Sequence, residues 1–253
     1  MNNIDYNNLL SVPPELILGS HGVIQTLDNC SGYYDADLIG PEAPLVGYAG
    51  DYVADPVTKT RLNYVGTKYY NFAMAEQWPF VIEHWAEIIN KRDFLDGQAT
   101  FLGAPMGGII FAYEIARQHF GSRSVYAEKK VTALKTATER EKSSMIMSRH
   151  ILLSGGGVWV VEDVVNNLSS AEKNKGLIEQ AGAEMKGIIC VINRSPESTW
   201  NGLPIHSVLH LPTEQYRQDD PKVKDRIAAG KVFMKPKDIW VQEVVPLIFS
   251  EAA

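Results

Sequence analysis

One stretch near the middle of the chain limits what it can fold into. An apolar, mostly β-branched run at 158–161 is followed by Glu162 and Asp163, then by two valines and a polar turn ending in Ser169 and Ser170. An apolar run bounded by turn signals is typical of a strand buried on both faces of a parallel sheet. The acidic pair is therefore expected at the carboxyl end of a strand, where open α/β sheets bind ligands. Either serine can cap the helix that follows, and the N-terminus of that helix favours a phosphate.

This arrangement resembles the phosphoribosyl-pyrophosphate (PRPP) motif of the type I phosphoribosyltransferases. The resemblance implies that the acidic pair holds the ribose hydroxyls of PRPP and that the turn holds its 5′-phosphate. The turn residues with this implied role are Asn166, Asn167, Ser169 and Ser170. The usual turn is rich in Thr and Gly, so the Asn-Asn-Leu sequence is a departure. The alternative interpretation is a buried strand that ends in Glu-Asp and binds nothing.

Composition limits the class of protein. A chain of 253 residues can form one large α/β domain or a domain with appendages. The net charge of −6 argues against nucleic acid as the main partner. A polyphosphate site in such an acidic chain needs local basic residues and a divalent cation. Cys30 and Cys190 lie far apart, and neither a membrane span nor a signal peptide is recognisable, so a cytoplasmic location is expected.

A second ligand loop is predicted upstream. A short apolar strand at 99–102 runs into a Gly-rich turn, and glycines there let backbone N–H groups approach an anion. The turn resembles the pyrophosphate loop of orotate phosphoribosyltransferases, although glycine stands where many of them carry a lysine before the final Gly-Ile. The residues that the resemblance assigns to PRPP here are Gly103, Ala104, Met106, Gly107 and Gly108.

A basic segment at 128–144 is charged and has no apolar period, which predicts a mobile loop rather than a core element. The resemblance implies a catalytic loop whose lysines reach across a homodimer into the partner's site, with Lys129 and Lys130 as candidates. The alternative is a solvated surface loop, as charge runs usually are.

Three further residues are implied to bind the base. Tyr33 and Tyr34 resemble an aromatic pair that lines the pyrimidine site, and Arg194 follows an apolar strand where a guanidinium pairs with the orotate carboxylate. The alternatives are an edge-strand tyrosine pair that packs on both sides of a sheet and a surface arginine at a strand end.

The resemblance covers about residues 20–211. It implies the α/β type I phosphoribosyltransferase fold, with a mainly parallel five-stranded sheet flanked by helices and a small hood. The expected organisation is N-terminal helices and hood elements at 1–95, the core at 96–211 and a C-terminal extension packed on the core at 212–253. A short helix is predicted around 14–18, and a C-terminal helix capped by Asp238.

The implied reaction is Mg²⁺-dependent transfer of ribose 5-phosphate from PRPP to a pyrimidine base, most simply orotate to orotidine 5′-monophosphate, with release of pyrophosphate. Asp163 and the two lysines are the implied catalytic residues. Glu162 and Asp163 are the candidate metal ligands, directly or through PRPP and water. Two alternatives stay open: a phosphoribosyltransferase for another base, and a non-catalytic PRPP- or nucleotide-sensing protein on the same fold.

Overall fold

The computed structural model describes residues 22–249, so the helix predicted around 14–18 lies outside the described part. By internal contacts the chain divides into two units. Within the described residues, unit 1 comprises 22–75, 136–140 and 214–249, and unit 2 comprises 76–135 and 141–213. Unit 1 thus joins the N-terminal residues to the C-terminal extension, a different grouping from the predicted three ranges.

The described part of the chain forms eight α-helices and thirteen β-strands. In order they are α1 (Val23–Asn29), β1 (Tyr33–Asp35), α2 (Ala36–Ile39), β2 (Leu45–Val53), β3 (Arg61–Gly66), β4 (Lys68–Tyr70), α3 (Phe72–Glu76), α4 (Pro79–Asn90), β5 (Thr100–Gly103), α5 (Gly108–Gln118), β6 (Arg123–Tyr126), β7 (Glu128–Ala133), β8 (Lys142–Ile146), β9 (Gly157–Val165), α6 (Ser169–Gln180), β10 (Glu184–Asn193), β11 (Thr199–Trp200), β12 (Leu203–His210), α7 (Lys224–Ala228), β13 (Val232–Phe233) and α8 (Val245–Phe249).

Unit 2 is built on a six-stranded sheet with the strand order β11-β12-β10-β9-β5-β6. Five of these strands run parallel, as predicted, and the two-residue β11 adds an antiparallel edge beside β12. The side chains of 158–161 are buried, as expected for a strand covered on both faces. This α/β architecture with a mainly parallel sheet is the one that the resemblance implies.

The register of the sheet brings the two predicted ligand loops to the same edge. Gly103, the last residue of β5, pairs with Val161 of β9, one residue before Glu162. On the other side of β9, Glu162 pairs with Cys190 of β10. Because β5, β9 and β10 are parallel, the loops after β5 and β9 and the segment after β10 all leave the carboxyl edge.

Unit 1 contains a hairpin between residues 40 and 67. Strands β2 and β3 pair antiparallel, and β13 of the C-terminal extension adds a parallel strand to β2. Trp240 and Val244 pack in one apolar cluster with Tyr34 and Tyr48, so the extension builds part of the core of this unit.

The predicted cap at Asp238 is wrong. Asp238 ends a 3-10 turn that begins at Pro236. The residue that caps the following π-helical turn at 240–244 is Ile239, whose side chain cannot accept a hydrogen bond. No helix within residues 22–249 is long and apolar enough to cross a membrane.

The basic segment is an ordered β-hairpin in the structure. Strands β7 and β8 pair antiparallel, with Lys129 opposite Met145 and Lys130 opposite Ser144. Met145 is buried in the apolar cluster of unit 2, which anchors β8. The sequence pattern missed this pairing because at most one side chain of each pair is apolar, so no continuous apolar period results.

Candidate functional site

The acidic pair is half-buried at the end of β9. The pKa of Glu162 is raised to about 8: burial raises it most, the charge of Asp163 also raises it, and a hydrogen bond with Ser170 opposes the rise. Burial also raises the pKa of Asp163, against the lowering effect of hydrogen bonds with the backbone at Val164 and at its own position. Two carboxylates pushed towards protonation need cations or hydroxyl donors to become fully charged, which suits a ligand site.

Glu76 is a third carboxylate in this environment, and the sequence analysis did not single it out. Burial and the charge of Asp163 raise its pKa to about 7. Its Oε1 atom is buried and makes no hydrogen bond to any described residue. The residue ends α3, far from any motif, so no local sequence signal could have identified it.

The loop between β5 and α5 packs directly against the acidic pair. The amide of Ala104 donates to the carbonyl of Val161 at 2.9 Å, which joins the loop to β9. A Cβ atom on Gly107 would lie 2.2 Å from Oδ2 of Asp163, and one on Gly108 would lie 2.0 Å from the carbonyl oxygen of Val161. The two predicted PRPP elements of unit 2 therefore touch through glycine backbone.

This contact explains the missing lysine. Gly107 has right-handed helical angles, φ −63° and ψ −27°, that any residue can adopt. What excludes a side chain is the carboxylate of Asp163. The amides of Met106 and Gly107 have no acceptor among residues 22–249, so they remain available to an anion.

The turn after β9 is organised differently. The side-chain oxygen of Asn167 accepts hydrogen bonds from the amide and hydroxyl of Ser169, at 3.3 and 2.9 Å. Leu168 adopts the left-handed region, with φ 58°, and packs partly on the core of unit 2. Ser170 hydrogen-bonds Glu162, whereas Asn166 and Asn167 lie in the bend that leads into α6. The turn thus satisfies two of its own donors, the amide and the hydroxyl of Ser169.

Lys129 and Lys130 are both exposed on β7. The ammonium of Lys129 lies 2.6 Å from Glu141, an ion pair within the hairpin. A hydrogen bond of 2.7 Å from Lys173 to Ser143 joins β8 to α6, the helix that begins at the Asn167 turn. The tip of the hairpin belongs to unit 1, where Arg140 forms an ion pair with Asp51.

The predicted base-binding residues lie in different units. Arg194 is buried at the end of β10, with only 5% of its surface exposed, so the surface-arginine alternative is wrong. Its amide donates to the carbonyl of Val165, which places its backbone beside the end of β9. In unit 1, Tyr34 is fully buried and donates to the carbonyl of Pro44, as a core residue would, whereas Tyr33 stacks on Tyr70.

The parallel sheet and the two loops at its carboxyl edge agree with what the resemblance to type I phosphoribosyltransferases implies. The chain is 33% identical over 132 residues to an orotate phosphoribosyltransferase of Caldanaerobacter subterraneus subsp. tengcongensis, an alignment covering 51% of this chain and 63% of that relative. It is 28% identical over 160 residues to the orotate phosphoribosyltransferase of Desulforamulus reducens, covering 63% and 78% respectively. The chain thus spans less than two thirds of the length of the first of these relatives.

Solved structures also match parts of the chain. The adenine phosphoribosyltransferase of Thermoanaerobacter pseudethanolicus matches with a TM-score of 0.47 at 16% identity, over 58% of this chain and 90% of that one. The UMP synthase of Leishmania donovani matches with a TM-score of 0.40 at 14% identity, over 58% and 31%. No family model matches the sequence.

Proposed function

We propose that this protein transfers ribose 5-phosphate from PRPP to a pyrimidine base, with orotate as the first candidate, and releases pyrophosphate. The observation that carries the proposal is the contact of Gly107 with Asp163, because it joins an anion-binding loop to an acidic pair at one sheet edge. The similarity to proteins named orotate phosphoribosyltransferase supports the choice of base.

The residues present fit Mg²⁺ bound mainly through its substrate. Within residues 22–249 no three His, Cys, Asp or Glu side chains form a group able to hold a metal. Mg²⁺ commonly takes one or two carboxylates and completes its shell with phosphate oxygens and water, so Glu162 and Asp163 would suffice. When bound, the ion would neutralise charge on the pyrophosphate that leaves.

The chain itself would contribute mainly positioning and electrostatics. Glu162 and Asp163 would hold the ribose hydroxyls and offset the positive charge that develops on the sugar. The amides of Met106 and Gly107 would face the pyrophosphate, and the N-terminus of α6 the 5′-phosphate. Lys129 and Lys130 are proposed to supply cationic charge from the hairpin. Lys129 would first have to leave Glu141.

The choice of base depends on Arg194. A guanidinium buried beside the site can form two parallel hydrogen bonds with a carboxylate, and orotate carries one whereas uracil and adenine do not. Arg194 would thus favour orotate, and a base without a carboxylate is the second candidate substrate. A PRPP sensor is favoured by one observation only, the internal hydrogen bonds that Ser169 makes to Asn167. A homodimer and a cytoplasmic location remain expectations from the resemblance.

The test follows orotate by its ultraviolet absorbance in the presence of PRPP and Mg²⁺. Asp163→Asn is expected to lower turnover by about a hundredfold or more, as expected for loss of a group that stabilises transition-state charge. Glu184→Gln is the matched control, because Glu184 is an exposed carboxylate at the opposite end of β10. PRPP binding by calorimetry without turnover of any base would favour the sensor. Absence of PRPP binding would contradict the proposal.

A further inference from the structure

The turn that follows β10 repeats a hydrogen-bond pattern of the turn that follows β9. The side-chain oxygen of Asn193 accepts hydrogen bonds from the amide of Ser195 at 3.0 Å and from its hydroxyl at 2.7 Å. Asn167 accepts the same two bonds from Ser169. An asparagine two residues before a serine therefore organises both turns at the carboxyl edge of the sheet.

The turn after β10 differs from the other in its burial. Asn193, Arg194 and Ser195 are only 1%, 5% and 5% exposed, whereas the hydrogen bonds between Asn167 and Ser169 lie at the surface. Connecting segments usually run over the protein surface, and these residue types are mostly exposed. Three consecutive buried polar residues at a strand end therefore need a specific set of partners.

Asn193 makes a contact that the main chain cannot make in this turn. A four-residue turn starting at 193 would be closed by the amide of residue 196, but Pro196 has no N–H. The side-chain amide of Asn193 instead donates to the carbonyl of Glu197 at 2.8 Å. The carboxamide thus accepts from Ser195 and donates to Glu197 at once. A carboxylate at 193 could accept but not donate, and alanine could do neither.

Further hydrogen bonds hold the backbone of Arg194 itself. Its amide donates to the carbonyl of Val165 at 2.8 Å, and its carbonyl accepts from the amide of Thr213 at 3.1 Å. The Nε2 atom of His210 lies 2.9 Å from the carbonyl oxygen of Ser195. A long side chain with several rotatable bonds keeps one direction only when its backbone and its surroundings are fixed. This turn supplies both for Arg194.

We propose that Asn193 is a positioning residue that fixes the direction of the Arg194 side chain and so sets the preference of the site for a base with a planar carboxylate. This role rests on the proposed function, in which Arg194 pairs with the carboxylate of orotate. Two parallel hydrogen bonds between a guanidinium and a carboxylate require both groups to lie in one plane. A tilted guanidinium would lose one of these bonds to orotate, while a base without a carboxylate would lose nothing.

Steady-state kinetics with orotate, PRPP and Mg²⁺ test the proposal. Asn193→Ala should raise the KM for orotate at least about tenfold, because one charge-assisted hydrogen bond is lost, and should leave the KM for PRPP nearly unchanged. Asn167→Ala is the matched comparison, because it removes the same pattern from the other turn and should change the KM for PRPP instead. In an Arg194→Ala background, Asn193→Ala should have no further effect on the KM for orotate, since both residues act through one contact.

Ser195→Ala decides the question if Asn193→Ala does not fold. It removes only the hydroxyl and keeps the amide of residue 195 bonded to Asn193, so the turn is loosened rather than lost. The KM for orotate should then rise about two- to fivefold, as expected for one neutral hydrogen bond. Thermal unfolding of each variant identifies those that are folded at the assay temperature.

Three results would overturn the proposal. An equal rise in both KM values in Asn193→Ala would mean that the turn has only a structural role. An effect of Asn193→Ala that persists in the Arg194→Ala background would mean that Asn193 does not act through Arg194. An unchanged KM for orotate in folded variants would overturn this inference alone, whereas a wild-type chain that consumes no orotate would overturn the proposed base as well.

Discussion

The two loops predicted to bind PRPP at the carboxyl edge of the sheet are held in place by different contacts. One is held by backbone packing and the other by side-chain hydrogen bonds. The loop at 103–108 uses glycine to bring its backbone against Asp163 and leaves the amides of Met106 and Gly107 without an acceptor among the described residues. The turn at 166–170 uses side chains, and Asn167 takes up donors of Ser169. The first loop is therefore organised for an external anion, whereas the second is already satisfied in part.

Each loop also controls one carboxylate of the acidic pair. The first packs on Asp163, and the second hydrogen-bonds Glu162 through Ser170. The comparison teaches that the departures from the usual motif are not equivalent. Gly107 in place of lysine is a consequence of close packing, while Asn-Asn-Leu in place of Thr and Gly is a change in how the phosphate turn is held.

Among substitutions in the two loops, the largest effect is expected from Gly107→Ala. The backbone at 107 accepts alanine, but its Cβ would overlap the carboxylate of Asp163 and displace either the loop or the acid. A displacement of about 1 Å at a positioned site can cost about a hundredfold in rate. We expect turnover and PRPP affinity to fall together, as measured by the orotate assay and calorimetry.

Gly176→Ala is the control for that substitution. Gly176 lies inside α6, and a Cβ there would meet nothing within 4 Å. This variant should keep full activity and gain about 0.5–1 kcal/mol of stability, because alanine is favoured over glycine in a helix. If Gly107→Ala binds PRPP as the wild type does, the close contact has no functional role.

A smaller effect is expected from Asn167→Ala. With its oxygen held by Ser169, the side-chain amide of Asn167 is oriented and can donate to a phosphate. Loss of one such bond should weaken PRPP binding about five- to tenfold, at about 1 kcal/mol of net hydrogen-bond energy. Binding would be measured by calorimetry with PRPP and with inorganic phosphate.

Asp55→Ala is the matched control for Asn167→Ala, because it also removes a side chain that accepts hydrogen bonds within a turn. In unit 1 the carboxylate of Asp55 accepts hydrogen bonds from the amide of Val57 at 2.8 Å and the hydroxyl of Thr58 at 2.8 Å. Asp55→Ala should lower the free energy of unfolding by about 1 kcal/mol without changing the affinity for PRPP. Tighter binding in Asn167→Ala would reverse the interpretation, because it would mean that Asn167 competes with the phosphate for Ser169.

Sequence predicted one loop better than the other for a physical reason. Glycine at 107 and 108 and the buried run at 158–161 are local signals, and the parallel register that joins them follows from the sheet. The hairpin β7–β8 was missed because its strands are polar and gain stability from Met145 and from pairing. Glu76 was missed because nothing in its own segment reveals that Asp163 lies near it in the fold. The sequence predicts Tyr34 as a base-binding residue, whereas in the structure its side chain is fully buried in the apolar cluster of unit 1.

The smallest effect concerns pH. Glu162 ionises near its ordinary pKa of 4.5 in the unfolded chain and at about 8 in the folded chain, so between these values the folded state binds the extra proton. Stability contributed by this proton is present at low pH and is lost as pH rises through that window. Asp163 and Glu76, whose pKa values are also raised, act with the same sign.

Glu162→Gln should therefore flatten the fall in melting temperature from about pH 5 to about pH 8, measured by thermal unfolding without divalent cations. Ser170→Ala should steepen it, because the hydrogen bond that lowers the pKa of Glu162 is lost. Glu184→Gln, at an exposed carboxylate, should leave the slope unchanged. Equal slopes of melting temperature against pH in the wild type and the three variants would mean that the turn at 166–170 does not control the ionisation of Glu162. The contact of Gly107 with Asp163 would then be the remaining difference between the two loops.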